Sequence, residues 1–190
     1  MRAARPDYRC MTIIHWLRYT CAFPLALLGI ARFELELAES QHERRGRGGD
    51  ASKAAYWARR AAAHGSLKAQ RMLAAFHVAG FGVAKDYAEA ARLYKAAADA
   101  GDPLGHHSFA WCCFQGVGVE KALNLAFDHW LEAAKCGVAD AQAAVADCLF
   151  AGVGTDKDPA AAEDWARLAT KNGADGAVQL LVRIEAARSQ

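Results

Sequence analysis

Two adjacent histidines, His106 and His107, could in principle bind a metal ion or transfer protons. Adjacent side chains on a helix point about 100° apart, so the two imidazoles cannot chelate one ion together. His107 is followed four residues later by Trp111, which is not a metal ligand. No GxSxG, HExxH or phosphate-loop motif occurs in the chain. We therefore expect a non-enzyme with no catalytic residues, no metal site and no cofactor.

Six cysteines are the other residues with reactive side chains: Cys10, Cys21, Cys112, Cys113, Cys136 and Cys148. No two of them are spaced as CxxC, and no histidine lies three or four residues from a cysteine on a shared helix face. This spacing is not typical of a zinc site or of a thioredoxin-type redox pair.

The composition favours helices. Alanine is the commonest residue, at nearly a quarter of the 190 residues, and only four prolines are present. Alanine is the best helix former and lets helices approach closely. The formal net charge is +2, which gives no electrostatic reason to expect a nucleic-acid partner. These properties predict an all-α protein.

A repeat of 36 residues is the main signal. It appears in several columns of equivalent positions: Gly65, Gly101, Gly137 and Gly173; Gly80, Gly116 and Gly152; Gly46, Gly82, Gly118 and Gly154; Ala54, Ala90, Ala126 and Ala162; Ala61, Ala97, Ala133 and Ala169; Leu37, Leu73, Phe109, Val145 and Leu181. The predicted units are 30–65, 66–101, 102–137 and 138–173. Residues 174–190 are predicted to form a capping helix, whose polar outer face would meet water.

Each unit is predicted to contain two helices, A and B. In the second unit, helix A runs from about Ser66 to Ala79, and helix B from about Asp86 to Gly101. Asp86 is a suitable N-cap, and Glu89 three residues later could complete a capping box. The third unit has Ala122 at the position of Asp86, so we expect that cap to be absent.

The columns resemble the Sel1-like repeat family, a relative of the tetratricopeptide repeats. The matching residues of the second unit are Ala69, Leu73-Ala74, Gly80-Phe81-Gly82-Val83, Asp86, Ala90, Ala96-Ala97 and Gly101; those of the fourth are Ala141, Gly152-Val153-Gly154, Asp158, Ala162, Trp165 and Gly173. The resemblance implies a right-handed α/α solenoid whose A helices line a concave face. It also implies a non-catalytic protein–protein interaction scaffold or adaptor, often bacterial, that binds a peptide or helix of unknown identity.

By analogy with tetratricopeptide repeats, seven residues are predicted to contact the partner: Arg71, His107, Trp111, Phe114, Gln115, Asp147 and Phe150. Trp111 stands where the neighbouring units have Ala75 and Asp147, and a large aromatic residue among small or polar ones suits a binding anchor. Trp111, Phe114 and Phe150 could equally be packing residues, because aromatic residues at helical spacing often belong to the core.

An alternative function also comes from the resemblance, because some cysteine-rich relatives bind β-lactams and carry a disulfide in each repeat. Such a protein would be an envelope protein with ligand-binding or hydrolase-like activity. Here Cys112 and Cys148 are equivalent residues of neighbouring A helices, so their backbones should lie about 8–10 Å apart. A disulfide needs Cα atoms within about 7 Å. We therefore expect free thiols.

Residues 1–29 form an apolar N-terminal segment with two interpretations. Arg2, Arg5, Arg9 and Arg18 precede the apolar run 20–31, as in a signal peptide, which would place the protein in the periplasm. The alternative is a retained packing helix, which we favour together with a cytoplasmic location, because free thiols suit a reducing compartment. Membrane contact is expected only if this segment is a signal or an anchor.

Overall fold

The computed structural model of the chain describes residues 23–43 and 50–188. All regular elements within these two ranges are α-helices. Their bounds are Phe23–Glu43 (α1), Ala51–Ala63 (α2), Leu67–Ala79 (α3), Tyr87–Asp99 (α4), Pro103–Gln115 (α5), Leu123–Lys135 (α6), Ala139–Ala151 (α7), Pro159–Lys171 (α8) and Ala177–Arg188 (α9). The all-α prediction is confirmed.

The helices repeat in strict register. Helices α2, α4, α6 and α8 are the B helices; each has 13 residues, and each begins 36 residues after the one before. The A helices α3, α5 and α7 follow the same spacing. Each helix packs mainly against its neighbours in the chain, as in a solenoid in which every unit contacts only adjacent units. The chain is a right-handed α/α solenoid of four units followed by a capping helix.

Capping residues explain where the helices begin. The Asp86 side chain caps α4, while Asp102 and Asp158 cap α5 and α8 and are each followed by proline. Ala122 provides no side-chain cap for α6, as predicted. The capping box is only half formed, because Asp86 accepts from the Glu89 amide at 3.0 Å but the Glu89 carboxylate accepts from Arg92 instead.

Small buried side chains hold the stack together. Ala61, Ala97, Ala133 and Ala169 are fully buried, and so are Ala38, Ala74, Ala110 and Ala146. The apolar column is buried in the interior units at Leu73, Phe109 and Val145, whereas Leu37 and Leu181 at the two ends are partly exposed. Alanine at these positions lets neighbouring helices approach at the short end of the usual range of about 8–10 Å.

Each Gly-x-Gly turn contacts the preceding unit. The first glycine, such as Gly116, ends helix A in the left-handed conformation. The second glycine, such as Gly118, has φ +74° and lies against the first residue of the previous helix B. A Cβ atom at position 118 would stand 1.9 Å from the Tyr87 carbonyl oxygen, so only glycine fits there. Gly82 and Gly154 make the same approach to Ala51 and Leu123.

The two ends differ from the interior. Helix α1 includes residue 29, and its buried Glu34 binds Arg60 of α2 at 2.9 Å and His64, the residue that follows α2, at 2.7 Å. Helix α9 exposes not only polar residues but also Val178 (54%) and Val182 (59%). The outer face of the capping helix is therefore less polar than predicted. Within the described residues, no helix has the length and apolar character needed to cross a bilayer.

Candidate protein-binding face

The A helices α3, α5 and α7 share a solvent-facing side, which we call the A-helix face. It consists of five columns of equivalent residues: Lys68, Leu104 and Asp140; Arg71, His107 and Ala143; Ala75, Trp111 and Asp147; Val78, Phe114 and Phe150; Ala79, Gln115 and Ala151. The first, third and fifth columns are exposed in all three units, and the other two are half-buried. This surface contains all seven residues that the sequence predicted to contact a partner.

An apolar stripe lies exposed in the middle of this face. Leu104 and Trp111, seven residues apart on α5, are 43% and 44% exposed. His107 lies between them on the same side of the helix. Apolar side chains that are exposed together on one face of a folded domain often mark an interaction site, whereas single exposed ones are common. The exposure of Trp111 removes the alternative in which it is a core residue.

His107 has an unused polar atom beneath this stripe. Its Nδ1 is buried and has no hydrogen-bond partner among the described residues. Burial lowers the pKa of His107, and the nearby Asp140 carboxylate opposes that shift only in part. The imidazole is therefore neutral at neutral pH, when one ring nitrogen donates a hydrogen bond and the other accepts one.

Phe114 and Phe150 form the floor of the face. The Phe114 ring packs 5.2 Å from that of Trp130, measured between centroids, and both phenylalanines contact the central core. The Arg183 guanidinium of α9 lies 5.8 Å from the Phe150 ring centroid. Both phenylalanines are therefore mainly packing residues that stay partly exposed.

The remaining three predicted residues, Arg71, Asp147 and Gln115, differ in how available their polar groups are to a partner. Arg71 donates a hydrogen bond from Nε to Asp102, the N-cap of α5, so its guanidinium forms an ion pair between the second and third units. Asp147 lies 3.7 Å from Arg183, and both side chains are more than half exposed. Gln115 is exposed at the end of α5. Arg71 is therefore part of the scaffold more than of the contact surface.

Four consecutive segments of the chain, 33–66, 67–102, 104–138 and 139–173, match the model of the Sel1 repeat. The chain belongs to the Sel1 repeat family. The matched segments cover most of the chain and agree with the helix pairs α1–α2, α3–α4, α5–α6 and α7–α8. None of the curated proteins matches the chain in sequence.

Two solved structures have the same fold as this chain. A Sel1 repeat protein from Oxalobacter formigenes is 31% identical, with a TM-score of 0.72 over 80% of this chain and 61% of its own. The protective antigen c5321 of uropathogenic Escherichia coli is 25% identical, with a TM-score of 0.76 over 84% of this chain and 34% of its own. The cysteine rich protein B of Helicobacter pylori is 21% identical, with a TM-score of 0.48. The chain thus spans less than two thirds of the first two proteins.

A column of polar residues recurs in the Sel1 repeats, and all of its members except Gln70 join the two helices of their unit; this column was not predicted from the sequence. The positions are Glu34, Gln70, His106 and Gln142. Glu34 forms an ion pair with Arg60 of α2. The Nδ1 atoms of His106 and His129, which lies in α6, are 2.8 Å apart. Gln142 accepts a hydrogen bond from the Asn172 side chain at 2.9 Å. The signal was the recurrence of polar residues at 36-residue spacing. His106 is therefore a packing histidine whose hydrogen bond joins two helices.

No group of three or more metal-binding side chains is present within the described residues. The four cysteines within the described residues are free thiols: Cys112, Cys113, Cys136 and Cys148. Cys112 and Cys148 are buried, and burial raises the pKa of each thiol to about 11. Cys136 is exposed after the last residue of α6.

We expect a disulfide-exchange reagent to react quickly with Cys136 in the folded chain and with Cys112, Cys113 and Cys148 only after unfolding. A thiolate is the reacting species, and buried thiols with raised pKa values supply little of it. The count on denatured, unreduced protein should reach all six thiols. Fewer than six would indicate a disulfide and support the cysteine-rich alternative.

Proposed function

We propose that this Sel1 repeat chain is a non-catalytic scaffold that binds a peptide or helical segment of a protein partner on its A-helix face. Proteins built from Sel1 repeats are generally protein-interaction scaffolds. The observation that carries the proposal for this face is the stripe of Leu104 and Trp111 on the middle A helix. Aromatic anchors near the centre of a surface contribute much of the binding energy in protein complexes.

The surroundings of the stripe also suit a protein ligand. Phe114 and Phe150 provide an apolar floor, and the half-buried imidazole of His107 lies between the two exposed apolar side chains. Helical or extended segments are commonly recognised by such combinations of apolar anchors and few polar groups. The alternative of a β-lactam-binding envelope protein has less support, because the described cysteines are free thiols and three of them are buried.

The test compares partner binding by the wild-type chain and the Trp111→Ala variant. The partner is captured from the native host on immobilised wild-type protein, and its affinity is then measured for both chains. Loss of binding with retained folding supports the proposal, and equal binding refutes it.

A further inference from the structure

We infer, on the basis of the proposed function, that the partner segment is basic as well as apolar: it places large apolar side chains on Leu104 and Trp111 and lysine or arginine beside Asp140 and Asp147. The inference goes beyond the existence of a binding face, because it states the chemistry of what binds there. It rests on how charge is distributed on the two sides of the apolar stripe.

On the α3 side of the stripe, each positive charge is already paired with a carboxylate. Lys68 donates to Glu39 of α1 at 2.5 Å, and Arg71 is paired with Asp102. The other exposed positions of α3 on this face, Ala75 and Ala79, carry no charge. An acidic partner would therefore have to compete with two existing ion pairs for these cations.

On the α7 side, the face carries two carboxylates. Asp140 is exposed in the first turn of α7 and forms no ion pair within the described residues. Asp147 has only the long contact of 3.7 Å to Arg183. The Lys68–Glu39 pair is 2.5 Å long, so Asp147 is held less closely by its partner than Lys68 is and is more available to a ligand. Two carboxylates therefore lie beside one guanidinium, that of Arg183, and this excess gives this side of the face a net attraction for cations.

The spacing of the carboxylates matches that of the apolar stripe. Asp140 and Asp147 occupy the positions of Leu104 and Trp111 one unit later, so the two pairs run side by side on neighbouring A helices. Seven residues of helix rise about 10 Å. A partner segment with apolar side chains about 10 Å apart and basic side chains on one flank would satisfy both rows at once.

The test selects binders from a library of random linear peptides on the immobilised full chain. We expect Trp111-dependent binders that are enriched in lysine and arginine next to leucine, phenylalanine or tryptophan, and whose affinity falls as salt is added. On the double variant Asp140→Lys and Asp147→Lys, the lysine-rich binders should bind at least about tenfold more weakly, and acidic peptides should be selected instead. The control Asp156→Lys and Asp164→Lys changes the net charge equally at exposed positions outside the face and should leave binding unchanged.

The outcomes separate the two proposals. Binders that need Trp111 but show no preference for basic residues, or that tolerate the double variant, would overturn this inference and leave the binding face intact. Binders that prefer acidic residues on the wild-type chain would also overturn it. A selection that yields no Trp111-dependent binder would contradict the proposed function itself.

Discussion

Replacing Gly118 with alanine is expected to lower the free energy of unfolding by roughly 2–5 kcal/mol. The left-handed backbone at this position strains any residue that has a Cβ atom, at a cost of about 1–2 kcal/mol. The new atom would also meet the Tyr87 carbonyl at 1.9 Å. Because the obstructing atoms are backbone atoms of α4, the clash can be relieved only by moving one unit away from the other, which adds about 1–3 kcal/mol.

Gly137→Ala is the matched control for this prediction. Gly137 also has a left-handed backbone, with φ +88°, but a Cβ atom there would meet nothing within 4 Å. Its expected cost is only the strain of about 1–2 kcal/mol. Urea unfolding of the two variants should therefore show Gly118→Ala as clearly the less stable. Equal losses would mean that the turn does not press on the preceding helix B as described.

The Trp111→Ala variant is expected to bind the partner at least about 30-fold more weakly, which corresponds to roughly 2 kcal/mol. The side chain is 44% exposed, so its removal deletes apolar contact area for a ligand and leaves the core columns intact. Titration calorimetry with the captured partner gives the affinity. Circular dichroism and the melting temperature should show that the fold is retained.

Leu125→Ala is the control for the loss of exposed apolar surface. Leu125 is 42% exposed, almost as much as Trp111, but it belongs to helix B α6 and not to the A-helix face. This variant should bind as the wild type does. A similar loss of affinity in both variants would indicate that general surface hydrophobicity, and not the stripe on α5, determines binding.

Most of the fold could be predicted from the sequence, because the 36-residue period sets helix length, turn position and burial together. Ser66 and Asp86 begin α3 and α4, and Gly80 ends α3, as predicted. The exceptions occur where a side chain has a choice of partner. Glu89 pairs with Arg92 and not with the Asp86 amide, and the buried ion pairs of Glu34 form with residues 26 and 30 positions away. Local sequence gives little information about such choices.

The candidate face was predictable in outline and not in detail. Equivalence between units places Arg71, Trp111 and Asp147 on one side of the solenoid, since repeated helices present equivalent residues to the same surface. Whether each residue is free depends on contacts between distant parts of the chain. Arg71 is held by the Asp102 cap, and Asp147 meets Arg183 of the capping helix. The recurrence of residues at 36-residue spacing predicts neither of these two contacts.

Hydrogen–deuterium exchange on the chain with and without its captured partner tests the binding face most directly. Binding should slow the exchange of amides in α3, α5 and α7, because a ligand on the A-helix face suppresses local opening of those helices. The effect should be strongest around residues 104–115 of α5. Protection confined to the B helices α4, α6 and α8 would contradict a partner on the A-helix face.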